Sequence, residues 1–210
     1  EHGVERMQRA EVVVLACNGV GTPRLLLNSK SARFPDGLAN RSGLVGKNLM
    51  LHPWGLISGV FDAPLASRFG PAGCCILSQQ FYETDLSRGF VRGYNLQVTR
   101  GSGPVTAART GLTRGQIPWG AGHHEAFARR YSHTVNIGVC CEDLPDENNT
   151  VTLDTQLTDS HGIPAPKITY RLDENSRRML QHGLDRGSEV MNAAGATDIY
   201  TEGPMRLAGW

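Results

Sequence analysis

The run from Val12 to Leu27, Val-Val-Val-Leu-Ala-Cys-Asn-Gly-Val-Gly-Thr-Pro-Arg-Leu-Leu-Leu, constrains the fold of this chain more than any other stretch. Its unbroken apolar, β-branched start predicts a strand covered on both faces. Small residues follow at Asn18, Gly19 and Gly21, so a ligand can approach backbone N–H groups beside a helix N-terminus. Thr22 is placed to cap that helix and Pro23 to fill its first position, where no N–H is needed. A plain strand-turn-helix junction reads the same way, and spacing alone leaves both readings open.

Beyond residue 29, the Gly, Asn and Pro-rich stretch from Phe34 to Asn48 predicts irregular connection and a boundary. Strand-like runs rich in β-branched and aromatic residues follow at 52–62, 73–81, 90–99, 134–141, 150–154 and 167–170. Residues 101–122 hold six Gly and two Pro, a composition that predicts a loop, either a lid over a pocket or an ordinary surface connection. Asp159-Ser-His-Gly162 reads as a turn, and Asp173 is placed to cap a helix. Leu180, Leu184, Gly187, Met191 and Ala194 form one apolar stripe, which predicts a helix from Glu174 to Ala194 closed by Gly195. Arg177, Arg178 and Asp185 fall on its outer side.

A length of 210 residues permits one large domain or one and a half. A net charge of +1 gives no electrostatic footprint for nucleic acid or an anionic membrane, and no apolar run is long enough for a membrane span. Five cysteines, two pairs of them adjacent at Cys74-Cys75 and Cys140-Cys141, predict reduced thiols. Neither pair has metal-ligand spacing, and His123-His124-Glu125 can offer one ligand at most because neighbouring side chains diverge, so no metal site is expected. Trp119 is a candidate to pack over a sugar ring or into a core, and His123 and His124 are candidates for substrate contact or packing beneath the loop.

The segments Thr22-Pro-Arg-Leu-Leu-Leu-Asn-Ser29, Ser42-Gly-Leu-Val-Gly-Lys-Asn-Leu-Met-Leu-His-Pro53 and the tail from Asn148 to Trp210, in that order, resemble the glucose-methanol-choline (GMC) flavoprotein oxidoreductases. Tyr82-Glu-Thr-Asp-Leu-Ser-Arg-Gly-Phe-Val-Arg-Gly-Tyr94 and Pro118-Trp-Gly-Ala-Gly-His-His124 are similar to the bacterial branch that acts on sugars, sugar acids and polyols. The resemblance implies an α+β fold: an antiparallel sheet of about five to six strands with helices on one face, preceded by a βα piece of the FAD-binding domain. By it, residues 1–48 are the C-terminal part of the FAD domain and 49–210 the substrate-binding domain. It implies hydride transfer from the CH–OH group of a sugar, polyol or other alcohol to flavin N5. It also implies that Ala16, Cys17, Asn18, Gly19, Thr22 and Pro23 form a turn near FAD, and that Asn48 and His52 pass close to the flavin. His52 has a second reading, a hydrogen-bonded structural histidine before Pro53.

The family's Gly-rich G-x-G-x-x-G turn and its His-x-x-Gly-Thr segment are both missing from these residues. The resemblance therefore implies the middle of a longer enzyme, from Glu1 to Gly209-Trp210, with no catalytic residue of its own, inactive alone and not expected to hold FAD alone. Smaller departures are Asn18 where the family usually has Gly, and Lys30-Ser31 after the helix. The implied partners are a small alcohol or sugar and an electron acceptor, protein or quinone. A different class, a ligand- or partner-binding domain without catalysis, also remains open. An NAD enzyme is disfavoured because the turn after Ala16 lacks G-x-G-x-x-G.

Overall fold

In Tyr94-Asn-Leu-Gln-Val-Thr99 and Thr134-Val-Asn-Ile-Gly-Val-Cys-Cys141, apolar and polar or small residues alternate, so each run has one side for a core and another for something else. Both are strands in the computed structural model, which describes residues 6–66, 69 and 73–204. Glu1, Gly209 and Trp210, which bound the expected fragment, lie outside the described residues. In chain order the elements are α1 (Asn18–Asn28), β1 (Trp54–Val60), β2 (Cys74–Ser78), β3 (Tyr94–Thr99), α2 (Pro104–Thr113) and α3 (His123–Arg130). They continue with β4 (Thr134–Cys141), β5 (Thr150–Thr158), β6 (Pro164–Thr169), α4 (Glu174–Ala193) and β7 (Asp198–Glu202). The fold is α+β, with an antiparallel five-stranded sheet ordered β2-β3-β4-β1-β7 and a two-stranded ladder of β5 and β6.

The chain divides into two compact units, Glu1–Met50 with Pro145–Arg171, and Leu51–Leu144 with Leu172–Trp210. In the first, α1 lies against the β5–β6 hairpin. Arg24 fastens it, donating from Nη2 to Asp159 Oδ2 at 2.8 Å and from Nε to the Pro164 carbonyl at 2.8 Å. The irregular stretch before residue 48 is docked on β5 by the Val151 N–H, which donates to the Gly46 carbonyl at 2.6 Å. A Cβ at Gly46 would overlap the Val151 carbonyl oxygen, so that approach requires glycine.

In the second unit α4 covers one face of the five-stranded sheet. Asp173 caps it, its carboxylate accepting from the Ser176 N–H at 2.6 Å. Met179, Leu180, Leu184 and Met191 are buried against Ile57, Tyr94, Leu96, Ile137 and Val139. The expected stripe is present except for Ala194, which is exposed at the helix end. The two elements interlock. A Cβ at Gly183 would stand 2.3 Å from Val139 Cγ1 and one at Gly187 2.6 Å from Ile57 Cδ1; on β1, one at Gly55 would meet Leu184 at 2.9 Å and one at Gly59 would meet Met191 at 2.7 Å. Small residues on each element thus receive large ones from the other.

Three expectations are corrected. Residues 12–16 form no strand, and Val12, Val13 and Val14 are exposed. A buried parallel strand exists only through its neighbours, and no described strand pairs with this one. The following helix starts at Asn18, not at Thr22 and Pro23; Pro23 lies inside it. The Gly-rich stretch 101–122 contains a ten-residue helix, α2. Its glycines and prolines punctuate it rather than break it: Gly103 and Pro104 sit at its start, Gly115, Gly120 and Gly122 take positive φ beyond its end, and Gly111 makes room for Ile117. Strand β7, which the sequence reading passed over, adds an edge to the sheet by pairing with β1.

Candidate functional site

Residues opposite each other in an antiparallel pair share a face. Gly55, Ile57 and Gly59 point toward α4, so Leu56 and Ser58 point away, together with their partners Gly138 and Asn136 on β4 and Glu202 and Tyr200 on β7. By the same register Gln97 and Thr99 of β3 join them, and so does Asn95. One face of the sheet is therefore an apolar core, and the other sets amides and hydroxyls beside Leu56, Tyr200 and Glu202. Trp54 lies across Gly138 on that face, where a Cβ would stand 2.4 Å from Trp54 Cζ2.

The polar face carries its own bonding pattern. Ser58 Oγ donates to Asn136 Oδ1 at 2.7 Å, and Gln97 Nε2 donates to Asn95 Oδ1 at 2.9 Å. Because Ser58 occupies the Asn136 carbonyl, the Asn136 amide presents its N–H donors and the Ser58 oxygen its lone pairs. Where α2 and the end of α3 approach β1 and β4 there is a groove of about 160 Å³, lined among others by Leu56, Ser58, Thr110, Arg114, Arg130 and Asn136. Arg114 forms an ion pair with Glu202. Arg130 donates to Gln116 Oε1 at 2.8 Å and stacks over the Tyr200 ring, 4.5 Å from its centroid.

The sequence-derived substrate candidates lie at the other end of α3. Trp119 is 87% exposed, so it belongs to no core. His123 begins the helix, its Nδ1 donating to the Pro118 carbonyl at 3.0 Å, and the His124 ring lies 6.2 Å from it. None of these three is among the residues lining the groove. The groove residues went unnoticed because Ser58 and Asn136 meet across 78 positions of sequence. The alternation of Thr134, Asn136 and Gly138 with Val135, Ile137 and Val139 was the available signal.

In the first unit, Ala16, Cys17, Asn18 and Gly19 are exposed, while Thr22 and Pro23 are half-buried. The turn satisfies much of its own backbone. Asn18 Oδ1 accepts from the N–H groups of Val20 and Gly21, both at 2.9 Å, and Thr22 Oγ1 accepts from the Cys17 N–H at 3.1 Å. Two of the donors expected to be open to a ligand are therefore occupied, because Asn18 stands where a glycine would leave them free. A separate cavity of about 410 Å³ in this unit is lined by Lys30, Asn40, Gly43, Lys47 and Thr152, among others. Asn48 is half-buried with φ 58°. In the second unit His52 is exposed, and its Nδ1 donates to the Cys141 carbonyl at 2.9 Å, which fixes the ring.

Several shifted groups of the second unit sit in or beside the sheet. Burial pushes the Cys141 and Cys140 thiols and the Tyr94 hydroxyl up, and it pushes His182 down, with Arg186 and Arg88 adding to the effect. Tyr94 and His182 hydrogen-bond at 2.8 Å inside an aromatic box with Phe81 and Phe90. All five cysteines are free thiols. Among the described residues no group of three or more His, Cys, Asp or Glu side chains is arranged to hold a metal ion, and no helix is long and apolar enough to cross a membrane.

No family model matches the chain. It is 37% identical over 210 residues, 99% of its length, to a 2-methyl-1,2-propanediol dehydrogenase of Mycolicibacterium austroafricanum, of which it covers 38%. It is 32% identical over 193 residues, 90% of its length, to the fructose dehydrogenase large subunit of Gluconobacter japonicus, covering 34% of that protein. With the gluconate 2-dehydrogenase flavoprotein of Pantoea cypripedii it shares 23% identity over 197 residues, 91% of the chain and 32% of that protein. The antiparallel sheet is compatible with a GMC substrate domain, and these relatives are by name dehydrogenases of a diol, a sugar and a sugar acid. Its homologues are GMC-type oxidoreductases that match nine-tenths or more of this chain, and the chain spans little more than a third of the length of the curated relatives it matches.

Proposed function

We propose that these residues are the substrate wall and a strip of the cofactor region of a longer FAD-dependent enzyme that oxidises a CH–OH group of a sugar, polyol or related alcohol. The observation that carries this reading is the Ser58–Asn136 pair on a polar sheet face backed by an apolar one. A hydroxyl laid against it can donate to the Ser58 oxygen and accept from the Asn136 amide, and two such bonds fix which C–H bond faces away from the wall. Leu56 and Trp54 on the same face give apolar surface to the carbon side of the substrate. FAD, when bound, would take the hydride at flavin N5 and the hydroxyl proton would pass to a general base elsewhere in the enzyme, so that the alcohol becomes a carbonyl. The share of this chain is to bind, to orient and to keep water from the reacting carbon.

Ala16, Cys17, Asn18, Gly19, Thr22, Pro23 and Asn48 are the residues that would hold the cofactor in the first unit. Their fit is to a flat group rather than to a phosphate. The Val20 and Gly21 N–H groups are occupied, whereas nothing stands within 4 Å of a Cβ position at Gly19. The test is the full-length protein carrying this chain, purified with FAD and assayed for dye reduction with a panel of sugars, sugar acids and alditols. Flavin absorbance with reduction by at least one of them is the expected result. A protein that binds flavin but is reduced by no alcohol would return the chain to the class of non-catalytic binding domains.

A further inference from the structure

The groove on the polar face is lined by two guanidinium groups and, among the described residues, by no carboxylate. The two cations differ in their partners. Arg114 is neutralised by Glu202. Arg130 has neutral partners: Gln116 Oε1 takes one N–H, the Tyr200 ring covers one face of the guanidinium, and no described acid forms an ion pair with it. An amide and a ring face orient a guanidinium without discharging it. Arg130 is also half-buried, so solvent screens it less than a surface cation. Its remaining N–H groups form a planar fork of the shape that a carboxylate fills with two parallel bonds. The same groove holds Ser58 and Asn136, which suit hydroxyl groups.

We propose that the alcohol taken by this site is a polyhydroxy acid of the aldonate class, its carboxylate on Arg130 and a hydroxyl on the Ser58–Asn136 pair. This rests on the functional reading above and narrows it. The charge on the substrate, rather than its count of hydroxyls, is then what the groove selects. Arg114 stays with Glu202 and shapes the wall.

The test compares D-gluconate with D-glucitol, which has a hydroxymethyl group in place of the carboxylate, on the full-length FAD-loaded protein in the dye assay. Gluconate is expected to be preferred in kcat/KM by about tenfold or more, a difference of the size one charge-assisted contact supplies. Arg130→Gln should raise KM for gluconate by about tenfold with kcat little changed, since the carboxylate bond is made equally before and during reaction. Glucitol should change by less than about threefold, and Arg130→Lys should recover part of the loss because it keeps the charge. If the variant fails to fold, the unaltered protein decides the matter: the gluconate KM must rise with added salt and the glucitol KM must not. Equal use of both compounds, loss of both alike in Arg130→Gln, or a salt-independent gluconate KM overturns the proposal and leaves the functional reading standing. Flavin reduction by no compound of the sugar, sugar-acid and alditol panel overturns both.

Discussion

Arg24 of α1 and Asp159 in the turn between β5 and β6 stand 135 positions apart and join at 2.8 Å, and the same guanidinium holds the Pro164 carbonyl. The Arg24 hydrogen bond, helped by the N–H groups of His161 and Ile163, lowers the Asp159 carboxyl to about 2. In the unfolded chain that group titrates near 3.9, so the unfolded state binds the proton first as the solution is acidified. The stabilisation is therefore complete above about pH 4 and is lost as pH falls toward the folded value. Asp159→Asn should melt at a lower temperature than the unaltered protein at pH 5, and the two curves should converge by pH 2. Thermal unfolding followed by circular dichroism across that range measures it.

The interlocked glycines of α4 leave no space for added atoms. Gly183→Val should destabilise the protein by about 1–3 kcal/mol or more through overpacking against Val139 and Tyr94. Leu184→Ala, which empties the pocket over Gly55, should cost about 2–5 kcal/mol. Urea unfolding of both variants checks the pair, and native midpoints in either would contradict the packing described.

His182 is held below its ordinary value, first by burial and then by Arg186 and Arg88. Between that folded value and the ordinary one near 6.5, the unfolded state carries more protons. Stability therefore falls as pH drops below about 6.5 and the loss levels off once the folded histidine also protonates. His182→Gln should show a shallower decline over this window, read from melting temperatures at half-unit steps.

For the polar face, Asn136→Ala and Ser58→Ala should each weaken alcohol binding in the full-length enzyme by about 1 kcal/mol, roughly fivefold in KM, the worth of one hydrogen bond. The double variant should lose less than the sum, because each side chain partners the other. A KM unchanged in both would show that the substrate lies elsewhere.

Much of this was readable beforehand, for reasons of period. Strand β4 begins and ends where alternation does, and α4 lies where the i, i+4 stripe from Leu180 to Met191 predicted it, with Asp173 as its cap. The failures share a cause of a different kind. Residues 12–16 have the composition of a strand, yet a strand is a property of its neighbours and not of its residues. Helix α2 was hidden because a count of glycines ignores that they sit at its borders. The groove was hidden because Ser58, Asn136 and Tyr200 come together only through the pairing order of β4, β1 and β7. The exposed Trp119 and the neighbouring histidines drew attention by residue type, although the end of α3 that meets the groove carries Arg130.

The reciprocal seating of α4 on β1 divides labour across a single strand. Sliding β1 by one residue would turn Ser58 into the helix and Ile57 into the groove, and it would bring larger side chains to the places of Gly55 and Gly59, where Leu184 and Met191 leave no room for them. Residues behind the sheet are thereby locked into one alphabet, whereas positions 56, 58 and 136 in front can be rewritten without the back layer registering the change. A single scaffold of this kind can be retuned from one alcohol to another by editing a few letters on its forward side.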